Sequence, residues 1–147
     1  GREVRDYKFR AWHKKHNCMV DFDYAGPDAY SLIYTKQALM IEFDNSEEEK
    51  ELFTDSDFDL MQYTGFKFKG QEVYESDLVK TKYQKLAKIV WINEYACFAL
   101  ETVDDTVKGE LMFCLSDIEE ILGNIYETPH LLAPEIRSKD VEGTNGQ

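Results

Sequence analysis

Cysteine, proline and long apolar runs are all scarce in this chain of 147 residues. The cysteines Cys18, Cys97 and Cys114 are odd in number, far apart and embedded in apolar sequence, which excludes a disulfide framework and predicts reduced, buried thiols. No apolar run approaches the roughly 18 residues of a membrane-spanning helix, and no leader of the secretory type is expected. The sequence therefore predicts a soluble protein of the cytoplasm.

Motifs of nucleotide and nucleophilic chemistry are missing as well. The sequence contains no Gly-x-Gly-x-x-Gly, no Walker loop and no Gly-x-Ser-x-Gly. Residues 55–59 begin like a calcium loop, but Leu60 replaces its glycine and Phe66 its bidentate glutamate. These gaps predict a protein without catalytic residues, metal or cofactor.

The three histidines give little indication of a metal site or a catalytic base. His13 and His16 are three residues apart in a predicted turn, and Cys18 is the nearest residue that could serve as a third ligand. Exposed turn histidines are favoured over a metal site at this position. His130 follows Pro129 in an apolar segment and is expected to pack there, not to act as a general base.

Charge is abundant and unevenly distributed, with a net value of −12. Residues 42–59 hold nine carboxylates against one lysine, and residues 101–127 hold eight against one. By contrast, residues 67–88 hold six lysines. The favoured interpretation of these charged segments is that they form solvated faces of the protein. The alternative is a dipolar surface that docks head to tail or binds a charged partner.

The segment 60–80 carries the clearest structural signals. Its apolar positions change parity between Tyr63 and Phe66, so a strand that continues through both needs a bulge, and Gly65 is suited to form it. Lys69-Gly70 then predicts a two-residue hairpin turn.

Strand patterns dominate the rest of the chain and helical patterns are short. An opening hairpin is predicted from residues 8–12 and 18–24, and two strands around a turn from residues 31–43. Further strands are predicted at 78–83, 86–92, 95–103, 111–115 and 118–127.

Helical signals occur at three places. Ser46 and Glu49 form a capping-box pattern that predicts a short helix over 47–53, and the similar pair Ser116 and Glu119 makes a short helix the alternative to a strand at 118–127. A single turn is predicted from Thr128-Pro129 through Leu132.

These patterns predict a mainly β fold, all-β or α+β, with few short helices. Residues 1–59 are expected to form N-terminal β hairpins with the short acidic helix. Residues 60–132 are expected to form the hairpin of segment 60–80 and a small five-stranded barrel of the SH3-like kind, since five short strands follow residue 76. Residues 133–147 are polar and are expected to form a flexible tail.

Three sequence blocks resemble one protein family. They are Lys8 to Trp12 (Lys-Phe-Arg-Ala-Trp), Met61 to Val79, which includes Met-Gln-Tyr-Thr-Gly and Val-Tyr-Glu-Ser-Asp, and Leu122 to Pro129 (Leu-Gly-Asn-Ile-Tyr-Glu-Thr-Pro). On these blocks the chain resembles the YopX family of phage and prophage proteins over roughly Lys8 to Leu132. The hairpin turn is one residue shorter than the family pattern, and Ser76 occupies the place of its usual glycine.

The resemblance implies a small phage-encoded protein of the bacterial cytoplasm that self-associates and has no assigned reaction. It supplies no functional residue to carry over. The first hypothesis is accordingly a non-enzymatic protein that acts as a homo-oligomer or through a host or phage protein partner, using exposed aromatic and strand-edge surface.

Two further hypotheses rest on charge, and one on unrecognised chemistry. A nucleic-acid-binding module is the alternative, although the negative net charge disfavours it. Its basic and aromatic surface would comprise Lys80, Lys82, Tyr83, Lys85 and Lys88. An acidic inhibitor that mimics DNA through residues 42–59 or 101–127, and an enzyme of unrecognised type, complete the set.

Overall fold

A computed structural model describes residues 5–103 and 112–132 of the chain. Within these ranges it contains twelve β-strands and two short 3-10 helices, so the predicted mainly β class with few short helices is confirmed. The chain divides into two compact units, Gly1–Tyr63 and Thr64–Gln147, referred to below as unit 1 and unit 2. The predicted division lay after residue 59, and the predicted tail, 133–147, lies outside the described residues.

Unit 1 is built from two sheets of antiparallel strands. Its strands are β1 (Phe9–His13), β2 (Cys18–Asp21), β3 (Tyr30–Tyr34), β4 (Leu39–Phe43), β5 (Glu51–Phe53) and the first part of β6 (Phe58–Phe68). β1 lies between β2 and β6, and β3, β4 and β5 form a separate three-stranded sheet. The predicted opening hairpin and the predicted pair of strands within 31–43 are both confirmed.

The apolar core of unit 1 joins the β1–β2 hairpin to the three-stranded sheet. Ala11 and Val20 stand opposite each other on the hairpin and are completely or almost completely buried. Ile41 and Phe53 stand opposite each other on β4 and β5, and both belong to the same buried cluster. The alternation of apolar and polar positions in these strands places one face of each in this core.

The predicted helix over 47–53 is wrong. Ser46 does not cap a helix there, since its N–H and hydroxyl donate to Asp28 Oδ1 at 3.0 and 3.1 Å. Glu51–Phe53 instead forms β5 beside β4, where the Phe53 ring fills the core. Burial of this ring outweighs the local capping signal.

Unit 2 contains β7 (Gln71–Tyr74), which lies beside β6, and a five-stranded antiparallel sheet. The five strands are β8 (Asp77–Thr81), β9 (Leu86–Ile92), β10 (Cys97–Thr102), β11 (Met112–Phe113) and β12 (Ile118–Asn124), and 3-10 helices occur at Leu115–Asp117 and Pro129–Leu132. The sheet order is β11-β10-β9-β8-β12, so the last strand returns beside the first of the five. The helical turn predicted from Pro129 is confirmed.

The five strands predicted after residue 76 are all present. Residues 118–124 form a strand, so the helical alternative for 118–127 is wrong, and only the 3-10 turn precedes it. Val79, Ala87, Ile89, Leu100 and Ile118 form the buried cluster of the unit, together with Val73. Closure of the sheet into an SH3-like barrel stays a prediction.

The hairpin of segment 60–80 follows the sequence pattern closely. Met61 and Tyr63 are buried, and the positive φ of Gly65, 87°, falls where the apolar face changes parity. β6 and β7 are joined by Lys69 and Gly70, whose φ values are 49° and 84°. Two successive positive φ values characterise the two-residue turn that matches the twist of paired strands, so that predicted turn is confirmed.

Candidate protein-binding site

An apolar groove opens in unit 2 where β10 begins. It encloses about 440 Å³ and is lined by nine residues from the end of β9, the β9–β10 turn, the start of β10 and residues 112–115. None of the nine carries a formal charge. Tyr95 on its rim is 72% exposed and Met112 is 46% exposed. A groove of this volume can accept an apolar side chain of another molecule.

The β9–β10 turn fixes the outward position of Tyr95. The Tyr95 N–H donates to the carbonyl of Ile92 at 3.3 Å, and Ala96 adopts a positive φ of 49° to re-enter the sheet. The Trp91 indole N–H donates to Asn93 Oδ1 at 2.8 Å, which braces the turn. Tyr95 was predicted within a strand, but the turn extends through Ala96 and places the ring at the surface.

Residues 112–115 form the facing wall of the groove. Phe113 pairs with Leu100 across β10 and β11, and the chain then turns into the 3-10 helix. Asp117 Oδ2 accepts the N–H of Cys114 at 3.2 Å, while the Asp117 N–H donates to the Cys114 carbonyl at 2.9 Å. These two hydrogen bonds hold the wall in place without a charged side chain in the lining.

Two of the three thiols lie at this groove. Cys97 and Cys114 are exposed and line it, so the prediction of buried cysteines is wrong for both. Cys97 is the first residue of β10 and Cys114 is the extended residue between β11 and the 3-10 helix, and at both positions the apolar neighbours in sequence do not enclose the side chain. Cys18, in unit 1, is half-buried.

The five predicted basic and aromatic residues lie around the β8–β9 turn. Lys80 is on β8, Lys88 is on β9, and Lys82, Tyr83 and Lys85 lie in or beside the turn. Carboxylates stand among them: Lys80 Nζ is 3.4 Å from Glu119 Oε2, and Lys88 stands opposite Glu101 in the register of β9 and β10.

Tyr83 is the aromatic residue of this group. It is 58% exposed, and its ring stacks on Phe113 with centroids 5.0 Å apart. Lys82 beside it is exposed, and its backbone N–H donates to the Asp117 carbonyl at 2.8 Å. The arrangement offers one stacking face beside the exposed side chain of Lys82.

The acidic segment 42–59 contacts lysines from its own unit. Lys15 Nζ is 3.4 Å from Asp57, Lys14 Nζ is 3.5 Å from Asp59, and Lys50 Nζ is 3.3 Å from Glu42. These cations interrupt the acidic surface that mimicry of DNA would need. The Thr54 N–H donates to Asp57 Oδ2 at 3.2 Å, and this backbone hydrogen bond is the first cause that lowers the Asp57 pKa.

The predicted exposure of the turn histidines is wrong for His13. His13 has 0% exposure, whereas His16 is exposed. Their rings stack with centroids 4.1 Å apart and an interplanar angle of 9°. The pKa of His13 is lowered below 6.5, mainly by burial and secondly by the nearby His16.

The surroundings of these rings do not form a metal site. His16 Nδ1 lies 2.6 Å from the Tyr30 hydroxyl, and Cys18 Sγ lies 4.0 Å from the same hydroxyl. The pKa of Tyr30 is raised, mainly by burial and secondly by the neighbouring Cys18. Within residues 5–103 and 112–132, no three His, Cys, Asp or Glu side chains come together in a group that could hold a metal ion. His130 is exposed, so the prediction that it packs in an apolar environment is also wrong.

Comparison with known proteins places the chain at the level of a family. The sequence model of the family described as YopX protein matches residues 8–133. No curated protein matches the chain significantly. In the part of the chain that the structure describes, no helix has the length and apolar character needed to cross a membrane.

Proposed function

Because the chain belongs to the YopX protein family, we propose that it is a phage- or prophage-encoded protein that acts in the bacterial cytoplasm without catalysing a reaction. It acts by self-association, as a homo-oligomer, and by contact with protein partners. The observation that carries this proposal is the uncharged apolar groove of unit 2, with Tyr95 projecting at its rim.

The charge of the chain supports the groove as the contact surface. Two copies that each carry a net charge of −12 repel each other at long range. A lining without charged side chains is a surface where that repulsion costs least and where water is displaced from apolar groups. Aromatic side chains in such positions contribute most to the stability of interfaces, at about 2 kcal/mol or more each.

The experiment is a measurement of mass in solution. Size-exclusion chromatography with light scattering, from low to high micromolar concentration, should give a multiple of the 17.2 kDa chain mass. Tyr95→Ser should weaken association by roughly 30-fold, the equivalent of about 2 kcal/mol.

The matched control is Tyr34→Ser. Tyr34 is 81% exposed and lies in unit 1, away from the groove residues in sequence, so this variant should associate like the wild type. A monomer at high micromolar concentration, with no partner recovered by affinity purification from infected cells, would refute self-association and partner binding together.

Nucleic-acid binding is the second candidate, and the exposed Tyr83 ring beside Lys82 and Lys85 is the observation that favours it. Single-stranded nucleic acid binds to such stacking faces in a strongly salt-dependent way. In a gel-shift titration, changing Lys80 and Lys82 to glutamate should then abolish binding, whereas Lys36→Glu in unit 1 should leave it unchanged. Absence of binding at low salt would reject this candidate.

A further inference from the structure

His13 ends β1 in the interior of unit 1, and its hydrogen bonds define its tautomer. Its Nδ1 accepts the backbone N–H of His16 at 3.0 Å, so the neutral ring carries its proton on Nε2. Nε2 is buried and has no hydrogen-bond partner among the described residues. A second proton can bind only at Nδ1, the atom that accepts the hydrogen bond closing the β1–β2 turn.

The groups around His13 give such a proton little compensation. The His13 and Phe53 rings are nearly perpendicular, with centroids 4.1 Å apart and an interplanar angle of 84°, and the face of the His13 ring stacks on His16. The titratable and charged groups around it are His16 and Lys15 of the β1–β2 turn, Cys18 opposite it on β2, Tyr30 on β3, Glu51 on β5 and Asp57 in the β5–β6 turn. Only Glu51 and Asp57 favour a cation at this position.

We propose that His13 is a proton-sensitive latch that holds the β1–β2 hairpin against the sheet formed by β3, β4 and β5, and that protonation at Nδ1 opens it. The proton comes from solvent and no bond other than hydrogen bonds changes. Protonation sets the new N–H of Nδ1 against the N–H of His16, donor facing donor, and places a cation at a position that is completely buried. The closing hydrogen bond is lost and the hairpin separates from the core.

The direction of the pH effect follows from linkage. Because folding lowers the pKa of His13 below 6.5, the unfolded chain takes up the proton first as the pH falls. The stability that the neutral His13 gives the folded state is fully present above pH 6.5. It is lost progressively as the pH falls from 6.5 to the pKa of His13 in the folded state, and it does not fall further below that pKa. In this window the equilibrium constant for unfolding rises by up to about tenfold per pH unit, the slope for one proton.

The test uses the full chain with Trp91→Phe, which leaves Trp12 on β1 as the single tryptophan. Urea unfolding followed by Trp12 fluorescence from about pH 8 to about pH 5 should show the added pH dependence in this background. His13→Asn retains an acceptor oxygen near the position of Nδ1 but takes up no proton, so it should lose that dependence. His130→Asn, at an exposed site in unit 2, should retain it.

A second measurement covers the case in which His13→Asn does not fold. Nuclear magnetic resonance of the imidazole groups should give a midpoint below 6.5 for His13 in the wild type. His16→Phe keeps a stacked ring and removes the neighbouring charge, so it should move that midpoint upward. An equal pH dependence in wild type and His13→Asn, or a His13 midpoint at or above 6.5, would overturn the latch.

Discussion

Among the glycines that the structure describes, Gly123 has the least room for a side chain. It lies near the end of β12 with φ of 150°, a conformation that residues with a Cβ rarely adopt. A Cβ at this position would collide with Thr128 Oγ1 and would lie 2.8 Å from Thr128 Cγ2 and 3.1 Å from Thr128 Cβ. Gly123→Ala therefore forces both the backbone and the Thr128 side chain to move.

The Thr128 side chain cannot move without cost, because it is part of a hydrogen-bonded turn. Thr128 Oγ1 accepts the Asn124 N–H at 3.1 Å and donates to the Asn124 carbonyl at 2.9 Å. Backbone strain contributes about 1 to 2 kcal/mol and displacement of these hydrogen bonds about 1 to 2 kcal/mol more. We expect Gly123→Ala to lower the free energy of unfolding by about 3 kcal/mol.

The assay is urea unfolding at fixed pH, with Gly70→Ala as the matched control. Gly70 also has a positive φ, 84°, but no atom lies within 4 Å of the Cβ it would gain. Gly70→Ala should therefore lower the free energy of unfolding by about 1 kcal/mol, which is the cost of backbone strain alone. The effect of Gly123→Ala should also shrink in a Thr128→Ala background, because the colliding atoms are gone. Equal losses for the two alanine variants, or no relief in the double variant, would refute the collision.

Three further predictions concern the β7–β8 turn and the surface beside it. Ser76 has a φ of 71°, a strained backbone conformation for a residue with a side chain, so Ser76→Gly should raise the free energy of unfolding by about 1 kcal/mol in the same assay. A lower free energy of unfolding in this variant would contradict the presence of strain at Ser76. Asp77 is 4% exposed, and its Oδ2 accepts the Tyr74 N–H at 2.8 Å. Asp77→Ala should therefore lower the free energy of unfolding by about 2 kcal/mol, and an unchanged midpoint of urea unfolding would contradict this prediction. The ion pair of Lys80 with Glu119 is partly exposed, so Lys80→Gln should change thermal stability by less than about 0.5 kcal/mol.

The strands were predictable where a β-rich run is bounded by polar residues. Residues 86–92 form an apolar run interrupted only by Lys88, with Asn93 and Glu94 after it, and they form β9 with the predicted bounds. Lys69-Gly70 permits the positive φ values of a two-residue turn, so the hairpin it closes was predictable as well. These signals are local, and each can be recognised without knowledge of distant contacts.

The error at residues 47–53 shows where local signals fail. Ser46 has the capping residue pattern, but its hydroxyl donates to Asp28, which is 18 positions away. Phe53 stands opposite Ile41 in the core, and no pattern within the segment indicates that pairing. A partner distant in sequence decides the structure, and the sequence of the segment does not specify it.

The candidate sites were less predictable than the fold because they depend on exposure. His13 and His16 share a residue type and a predicted turn, yet one is buried and the other exposed, since His13 is the last residue of β1 whereas His16 lies in the turn that follows it. Tyr95 looks like a strand residue in the sequence and becomes a rim residue of the groove because the turn continues through Ala96. Exposure of a single ring is set by the end of a strand, the least regular part of a sequence pattern.

The three family-like blocks have a structural explanation that separates fold from function. Residues 8–12 include most of β1, residues 61–79 include the β6–β7 hairpin and the turn at Ser76, and residues 122–129 include Gly123 and its turn. The last two blocks meet directly, since the Ile125 N–H donates to the Ser76 carbonyl at 3.1 Å.

All nine residues that line the groove fall between positions 92 and 115, outside these blocks. The blocks therefore contain turns and core strands, whereas the proposed contact surface depends on residues outside them. Two chains that share the blocks and the buried residues, Leu100 among them, but differ at the nine lining residues should have the same fold and different partners.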